Sequence, residues 1–119
     1  MISSGERLIH RTAITAADSG TDPTAWADAP SAITDMSGYE VLRIFPVLNS
    51  GSLTALTIRV ISKRGSTVHL SVPTAITADF TDVINIKGYA GEPEIYVRID
   101  TISGSSPNVS LFACGVNES

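Results

Sequence analysis

Apolar and polar side chains alternate along most of the chain with a period of two residues. The clearest case is residues 94–102, where the alternate positions Ile95 and Ile99 are apolar and their neighbours are polar or charged. A period of two is the spacing of a half-buried β-strand. Residues 39–48 and 53–62 also alternate, but both of their faces are largely apolar. We therefore expect these two segments to be strands that are covered on both sides.

Segments of this kind recur along the chain, separated by clusters of Gly, Pro, Ser and Asn. The predicted strands are residues 8–17, 32–36, 39–48, 53–62, 67–72, 80–87, 94–102 and 109–116. Turns are predicted at residues 49–52 and 63–66, and a loop at residues 104–108. Short strands at this spacing predict an all-β protein, an antiparallel β-sandwich of about eight strands and of the jelly-roll type.

The length of 119 residues indicates one domain, so we take residues 1–119 as a single β-sandwich. Within it, residues 1–7 are predicted to be an N-terminal arm. Residues 18–30 are polar and rich in turn formers, and they are predicted to be a long loop that carries Trp26.

The charge balance narrows the range of partners. Eight Lys and Arg against twelve Asp and Glu give a formal net charge of −4. A chain with so few cations is poorly suited to phosphate groups, so we expect neither nucleic acid nor a membrane as partner. The N-terminal residues lack the basic and apolar regions of a signal peptide, which predicts synthesis in a cytoplasm.

The residues that carry chemistry are few, and we expect no enzyme, no cofactor and no metal. His10 and His69 alternate with apolar strand positions and are predicted to face solvent or an interface. Cys114 lies in the last apolar strand, where cysteine acts as a small hydrophobic residue. Asp18 and Asp22 lie four residues apart around Gly20, with Asp28 not far downstream, and they supply oxygen ligands of the kind calcium uses. A turn needs the same residue types, and a turn is our prediction.

Trp26 is the most informative single residue, and three roles remain open for it. It can cap the end of the core, anchor a partner as tryptophan often does, or stack on a sugar ring. The apolar outer faces of residues 39–48 and 53–62 also need a cover. Association with further copies of the chain is a common solution.

Two stretches carry a resemblance to a known group of proteins. Residues 38–45 read GYEVLRIF and lead into NSG at 49–51, and residues 94–100 read EIYVRID. Over about residues 38–116 the chain resembles small β-sandwich virion proteins of tailed bacteriophages, of the capsid decoration or cement type.

The resemblance implies a homotrimer that binds the major capsid protein on the capsid exterior and contributes contact area rather than chemistry. On this hypothesis Met1, Ile2, Arg7 and Trp26 are the candidate partner contacts. The alternative is a carbohydrate-binding or receptor-recognition module of a tail fibre or of a secreted enzyme.

Overall fold

The computed structural model describes residues 2–4, 8–33, 39, 41–64, 67–70, 74–76, 84–87 and 94–118. These residues form one antiparallel sheet and contain no α-helix, which confirms the predicted all-β class. Seven strands are described: β1 Ile2–Ser4, β2 Leu8–Ile14, β3 Val41–Arg64, β4 Thr67–Leu70, β5 Thr74–Ile76, β6 Ile84–Lys87 and β7 Glu94–Glu118. In this part of the chain, no helix has the length and apolarity needed to cross a bilayer.

The sheet is organised around a ribbon formed by the two long strands, β3 and β7. They pair from Val41 opposite Val116 to Lys63 opposite Glu94. In the first half of the ribbon, β1 and β2 pair with β7, and β6 pairs with β3. In the second half, β4 and β5 pair with β3.

The turn predicted at residues 49–52 and the loop predicted at 104–108 are wrong, because both segments lie inside strands. They face each other in the ribbon, with Leu53 opposite Gly104, and the register shifts several times around them. Gly51 and Gly104 have positive φ values of 77° and 146°. A β-carbon at Gly51 would overlap the Ser106 carbonyl oxygen. The glycines therefore bend the ribbon instead of reversing it, and four predicted strands merge into two.

The other predicted strands have mixed outcomes. Residues 8–17 contain β2, 67–72 contain β4, and 80–87 contain β6, in each case with a shorter strand than predicted. Ile33, in the predicted strand 32–36, forms an isolated bridge with Ile95. Residues 34–36, 71–72 and 80–83 lie outside the described residues.

The main core takes side chains from both halves of the ribbon. Leu42 and Leu111 of the first half share one cluster with Ile58 and Val97 of the second half. The opposite face of the first half holds a smaller cluster of Val41, Cys114 and Val116, with Phe45 packed against it. Residues 41–48 are thus apolar on both faces, as predicted, and Cys114 acts as a buried apolar residue.

Candidate functional site

A buried arginine with two aspartates is the main polar feature of the described residues. The side chain of Arg11, in β2, is 0% exposed and forms ion pairs with the carboxylates of Asp18 and Asp28. Its Nη1 also donates to the Val97 carbonyl oxygen at 3.2 Å. All five N–H groups of the guanidinium thus have acceptors within the protein. We call Arg11, Asp18 and Asp28 the arginine cluster.

The cluster keeps its cation charged. Burial acts to lower the pKa of Arg11, because it disfavours the charged form. The hydrogen bonds and charges of Asp18 and Asp28 more than offset burial and raise this pKa above its ordinary value. The guanidinium carbon also lies 4.7 Å from the centroid of the Trp26 ring, which is a cation–π contact.

Trp26 contributes to the core in this structure. Its side chain is 4% exposed and packs against Ile61 and Tyr96, with the Tyr96 ring edge-on at a centroid distance of 6.4 Å. The indole Nε1–H donates to the Gly20 carbonyl oxygen at 3.4 Å. Of the three roles open for Trp26, this placement matches the core cap, and little of the ring is accessible to a partner or a sugar.

Local sequence shapes the loop that holds Trp26. Pro23–Ala25 forms a single turn of 3-10 helix, and Asp22 caps it by accepting the Thr24 N–H. Proline suits the first helical position, because its φ is preset and it has no N–H to satisfy. The C-cap of this turn is Trp26, two residues before Asp28 of the arginine cluster.

Two alanines next to the cluster have an unusual backbone. Ala13 and Ala29 have φ values of 55° and 41°, in the left-handed region. Such residues persist only where the surrounding structure holds them, and they concentrate at functional sites. Ala13 follows Arg11 by two positions and Ala29 follows Asp28 directly, so the strain borders the cluster on both segments.

The cluster covers part of one edge of the sheet, where no neighbouring strand is described. In the second half of the ribbon, β3 pairs with one side of β7, and no described strand lies on the other side. On that side Ile95, Val97 and Ile99 present their backbone N–H and C=O groups outward, and we call these three residues the capped edge. Ile33 meets the first of them, with backbone hydrogen bonds to Ile95 of 2.7 and 3.1 Å.

The remaining groups of the capped edge bond mainly to side chains. The Val97 N–H donates to His10 Nε2 at 2.9 Å, and the Val97 carbonyl accepts from Arg11. The Ile99 N–H donates to Asp18 Oδ2 at 2.7 Å, and the Ile99 carbonyl accepts from the Asp18 N–H at 2.9 Å. Residues 10–33 therefore satisfy all six outward backbone groups, as a neighbouring strand would.

The prediction that His10 faces solvent or an interface is wrong. The pairing of β2 with β7 shifts register between Ile9 and Arg11, which breaks the alternation and lets His10 and Arg11 both reach the capped edge. Burial, and then the charge of Arg11, lower the pKa of His10 from 6.5 to about 4, against smaller opposing effects that include Asp28. His10 is therefore neutral at pH 7. The side chain of His69 is outside the described residues.

An open cavity of about 310 Å³ lies beside the arginine cluster. Besides Trp26, it is lined largely by small residues, among them Ala13, Ala16, Ala17, Ala25 and Ala27. Of the three aspartates weighed as calcium ligands, Asp18 and Asp28 hold the guanidinium, and Asp22 caps the Pro23–Ala25 turn. Within the described residues there is no group of three or more His, Cys, Asp or Glu that could hold a metal ion.

A second surface feature lies on the outer face of the first half of the ribbon. Ile9 pairs with Phe112 of β7, which in turn pairs with Phe45 of β3. Val47 lies two residues beyond Phe45 on the same face. Ile9 and Val47 are 53% and 40% exposed, and the two phenylalanines are half-buried. We call Ile9, Phe112, Phe45 and Val47 the apolar row.

Of the sequence-predicted contact residues, the structure describes the Trp26 side chain and the backbone of Ile2. Ile2 begins β1, and its backbone lies opposite Glu118. Met1 and Arg7 lie outside the described residues. Sequence reasoning missed the role of Arg11, for which the available signal was a lone cation inside an apolar strand, followed by a loop rich in aspartate.

Comparison with known proteins gives no further guide: no family model matches the chain, and no curated protein or solved structure is significantly similar to it.

Proposed function

We propose that this chain is a non-enzymatic structural protein of a phage virion, a capsid decoration protein that trimerises and stabilises the shell by binding the major capsid protein. On this proposal the bent ribbon is a β-sandwich of the jelly-roll type, and the protein lies on the capsid exterior. The resemblance of residues 38–116 to small virion proteins motivates the proposal.

The apolar row is the observation that carries it. Four large apolar side chains lie on neighbouring strands, and Ile9 and Val47 at its ends are more than one-third exposed. Exposed apolar patches on a sheet face are typical of protein–protein contacts. The low charged fraction of 17% fits a surface used for such contacts, because the cores of interfaces are depleted of charge.

The polar groups of the arginine cluster and of the neighbouring His10 favour a structural role over a catalytic one. Every N–H of the Arg11 guanidinium is bonded within the protein, and His10 Nε2 accepts the Val97 N–H. A general base needs a free lone pair within reach of a substrate proton. These groups stabilise the fold, and the proposed activity is binding.

The test is the mass of the purified protein by light scattering, followed by binding to capsids that lack the decoration protein. We expect a trimer that binds, and a double variant Ile9→Ser/Val47→Ser that is folded but impaired in trimer formation. Thr12→Ser, at an exposed polar position of β2, is the matched control and should behave as the wild type. A wild-type monomer that binds no capsid would contradict the proposal.

The cavity beside Trp26 supports the alternative of a carbohydrate-binding module. Its small apolar side chains leave an open space, and the Asp28 carboxylate, whose side chain is 21% exposed, can accept a hydroxyl group of a ligand. The Trp26 ring is largely covered and would report binding from the wall of the cavity. A glycan screen followed by Trp26 fluorescence tests this alternative. A saturable change with one sugar, in a protein that stays monomeric, would favour it over the virion role.

A further inference from the structure

The capped edge has the chemistry of a strand-addition site that the chain itself keeps closed. Open strand edges pair readily with other chains, and proteins protect them with charges, bulges or covering segments. Here residues 10–33 cover the edge with His10, Arg11, Asp18 and the backbone of Ile33. Only the contact with Ile33 has the backbone geometry of a strand pair.

We propose that residues 10–33 are a strand-mimicking cap, and that opening the cap lets Ile95, Val97 and Ile99 pair with the same edge of a second copy. This inference does not depend on the proposed virion function. It concerns an edge in the second half of the ribbon, whereas the apolar row lies on a face of the first half.

The edge is self-complementary in its backbone groups. In an antiparallel pair centred on Val97, Val97 lies opposite its own equivalent and Ile95 lies opposite Ile99 of the second copy. In such a ladder, alternate residue pairs exchange both hydrogen bonds. Here the hydrogen-bonded pairs would be Val97 with Val97 and Ile95 with Ile99, and these are the residues whose N–H and C=O groups point outward in this structure. A second copy therefore satisfies every group that the cap satisfies.

The side chains of this segment also tolerate the pairing. Ile95, Val97 and Ile99 are fully buried in the core of their own domain, so adding a strand at the edge does not displace them. Tyr96 packs on Trp26, and Arg98 donates to the Gly20 and Asp18 carbonyl oxygens, so opening the cap releases both side chains. Tyr96 of one copy then comes opposite Arg98 of the other, which allows a cation–π contact. Glu94 comes opposite Asp100, and this repulsion opposes pairing at low salt.

Few side chains close the edge itself: His10, Arg11 and Asp18. Arg98, which donates to the Gly20 and Asp18 carbonyl oxygens, and the packing of Trp26 also hold the covering segment in place. The Asp18 carboxylate accepts the Ile99 N–H and also holds the guanidinium of Arg11, which donates to the Val97 carbonyl. The other Asp18 contact, from its backbone N–H to the Ile99 carbonyl, does not depend on the side chain. Substitution of Asp18 is therefore the most direct way to open the cap. Asp22, which is exposed and caps only the Pro23–Ala25 turn, offers a matched control.

The experiment uses Asp18→Ala and the control Asp22→Ala, each shown to be folded by its near-ultraviolet circular dichroism. The probe is a labelled synthetic peptide with the sequence of residues 94–100, and a second peptide carries an N-methyl group at Val97. We expect Asp18→Ala to bind the first peptide at least tenfold more tightly than the second, and to form dimers at raised salt. The wild type and Asp22→Ala should do neither.

If Asp18→Ala does not fold, Asp28→Asn is the second variant, because it weakens the hold on Arg11 and leaves both Ile99 contacts in place. Weaker but N-methyl-sensitive peptide binding is then expected. A folded, monomeric variant that binds neither peptide would overturn the proposal. Peptide binding by the wild type as tight as by the variant would also overturn it, because residues 10–33 would then not close the edge.

Discussion

The edge of β7 that faces away from β3 is hydrogen-bonded in different ways in the two halves of the ribbon. In the first half, residues 109–118 pair with β1 and β2 through a backbone ladder, which shifts register twice along β2. In the second half, the capped edge is satisfied mainly by His10, Arg11 and Asp18. A backbone ladder tolerates most side-chain changes. The cap depends on the identity and the charge of a few residues, so the second half should be more sensitive to mutation and to pH.

The largest expected effect is the loss of the buried cation. Arg11→Met leaves the carboxylates of Asp18 and Asp28 without their partner and the Val97 carbonyl without its donor. We expect the free energy of unfolding to fall by about 3–5 kcal/mol, as when one partner of a buried ion pair is removed. Urea unfolding measures this loss.

Arg59→Met is the control for Arg11→Met. Arg59 pairs with Asp100 in the second half, but its side chain is 27% exposed. We expect a loss below about 1 kcal/mol. Equal losses for the two variants would show that the cap carries no special share of the stability.

The next effect is on pH dependence. His10 has its pKa lowered from 6.5 to about 4 in the folded protein, so the unfolded chain takes up the proton first as the pH falls. The folded state is therefore most favoured above pH 6.5, and loses about 3 kcal/mol from this group as the pH falls to about 4.

His10→Gln isolates this contribution, because the glutamine amide oxygen can accept the Val97 N–H and does not titrate. The difference in unfolding free energy between wild type and variant should change between pH 6.5 and 4, in favour of the variant at low pH. A difference that is constant over this range would contradict the buried, neutral imidazole.

A smaller effect is expected at the bend that joins the two halves. Gly51→Ala should lower the free energy of unfolding by about 2 kcal/mol, because its φ is 77° and the new methyl group meets the Ser106 backbone. Gly20→Ala is the control: its φ is 70°, but nothing lies within 4 Å of the added carbon. It should lose only about 1 kcal/mol. Thermal unfolding of both variants tests whether crowding at the bend adds to the backbone strain.

The smallest expected effect is at the apolar row. Ile9→Thr and Val47→Thr should each change the free energy of unfolding by less than about 0.5 kcal/mol, because both side chains are more than one-third exposed. Chemical denaturation at protein concentrations where the chain is monomeric measures this. A loss of 2 kcal/mol or more would mean that these side chains support the fold of the single chain.

The sequence was informative about strands and less so about their connections. Alternation predicted the segments that form β3 and β7, including the two apolar faces of residues 41–48. It did not predict that these segments are continuous. Asn, Ser and Gly favour a reversal and a bend for the same reason, since both need a positive φ or a local departure from pairing. Which of the two forms, a reversal or a bend, is decided by whether another strand pairs along both flanking segments, as β7 does along β3.

The alternation of apolar and polar residues did not predict the arginine cluster, for a different reason. Arg11 and Val97 are far apart in the chain, and their contact depends on how β2 and β7 are aligned. A register shift within β2 turns both His10 and Arg11 toward the same edge, whereas strict alternation predicts opposite faces. The aspartates of the following loop were recognised as a group, but their ligand is a side chain of the protein and not an ion.

The long ribbon also has a consequence for the rate of folding. The pairs at one end, Lys63 with Glu94, are much closer in sequence than the pairs at the other end, Val41 with Val116. The entropy lost on closing a loop grows with its length, so pairing should begin near Lys63 and proceed toward Val41. Contacts between distant residues dominate this topology, and such proteins fold in milliseconds to seconds. The pairing of β1 with residues 116–118 must then be among the last to form.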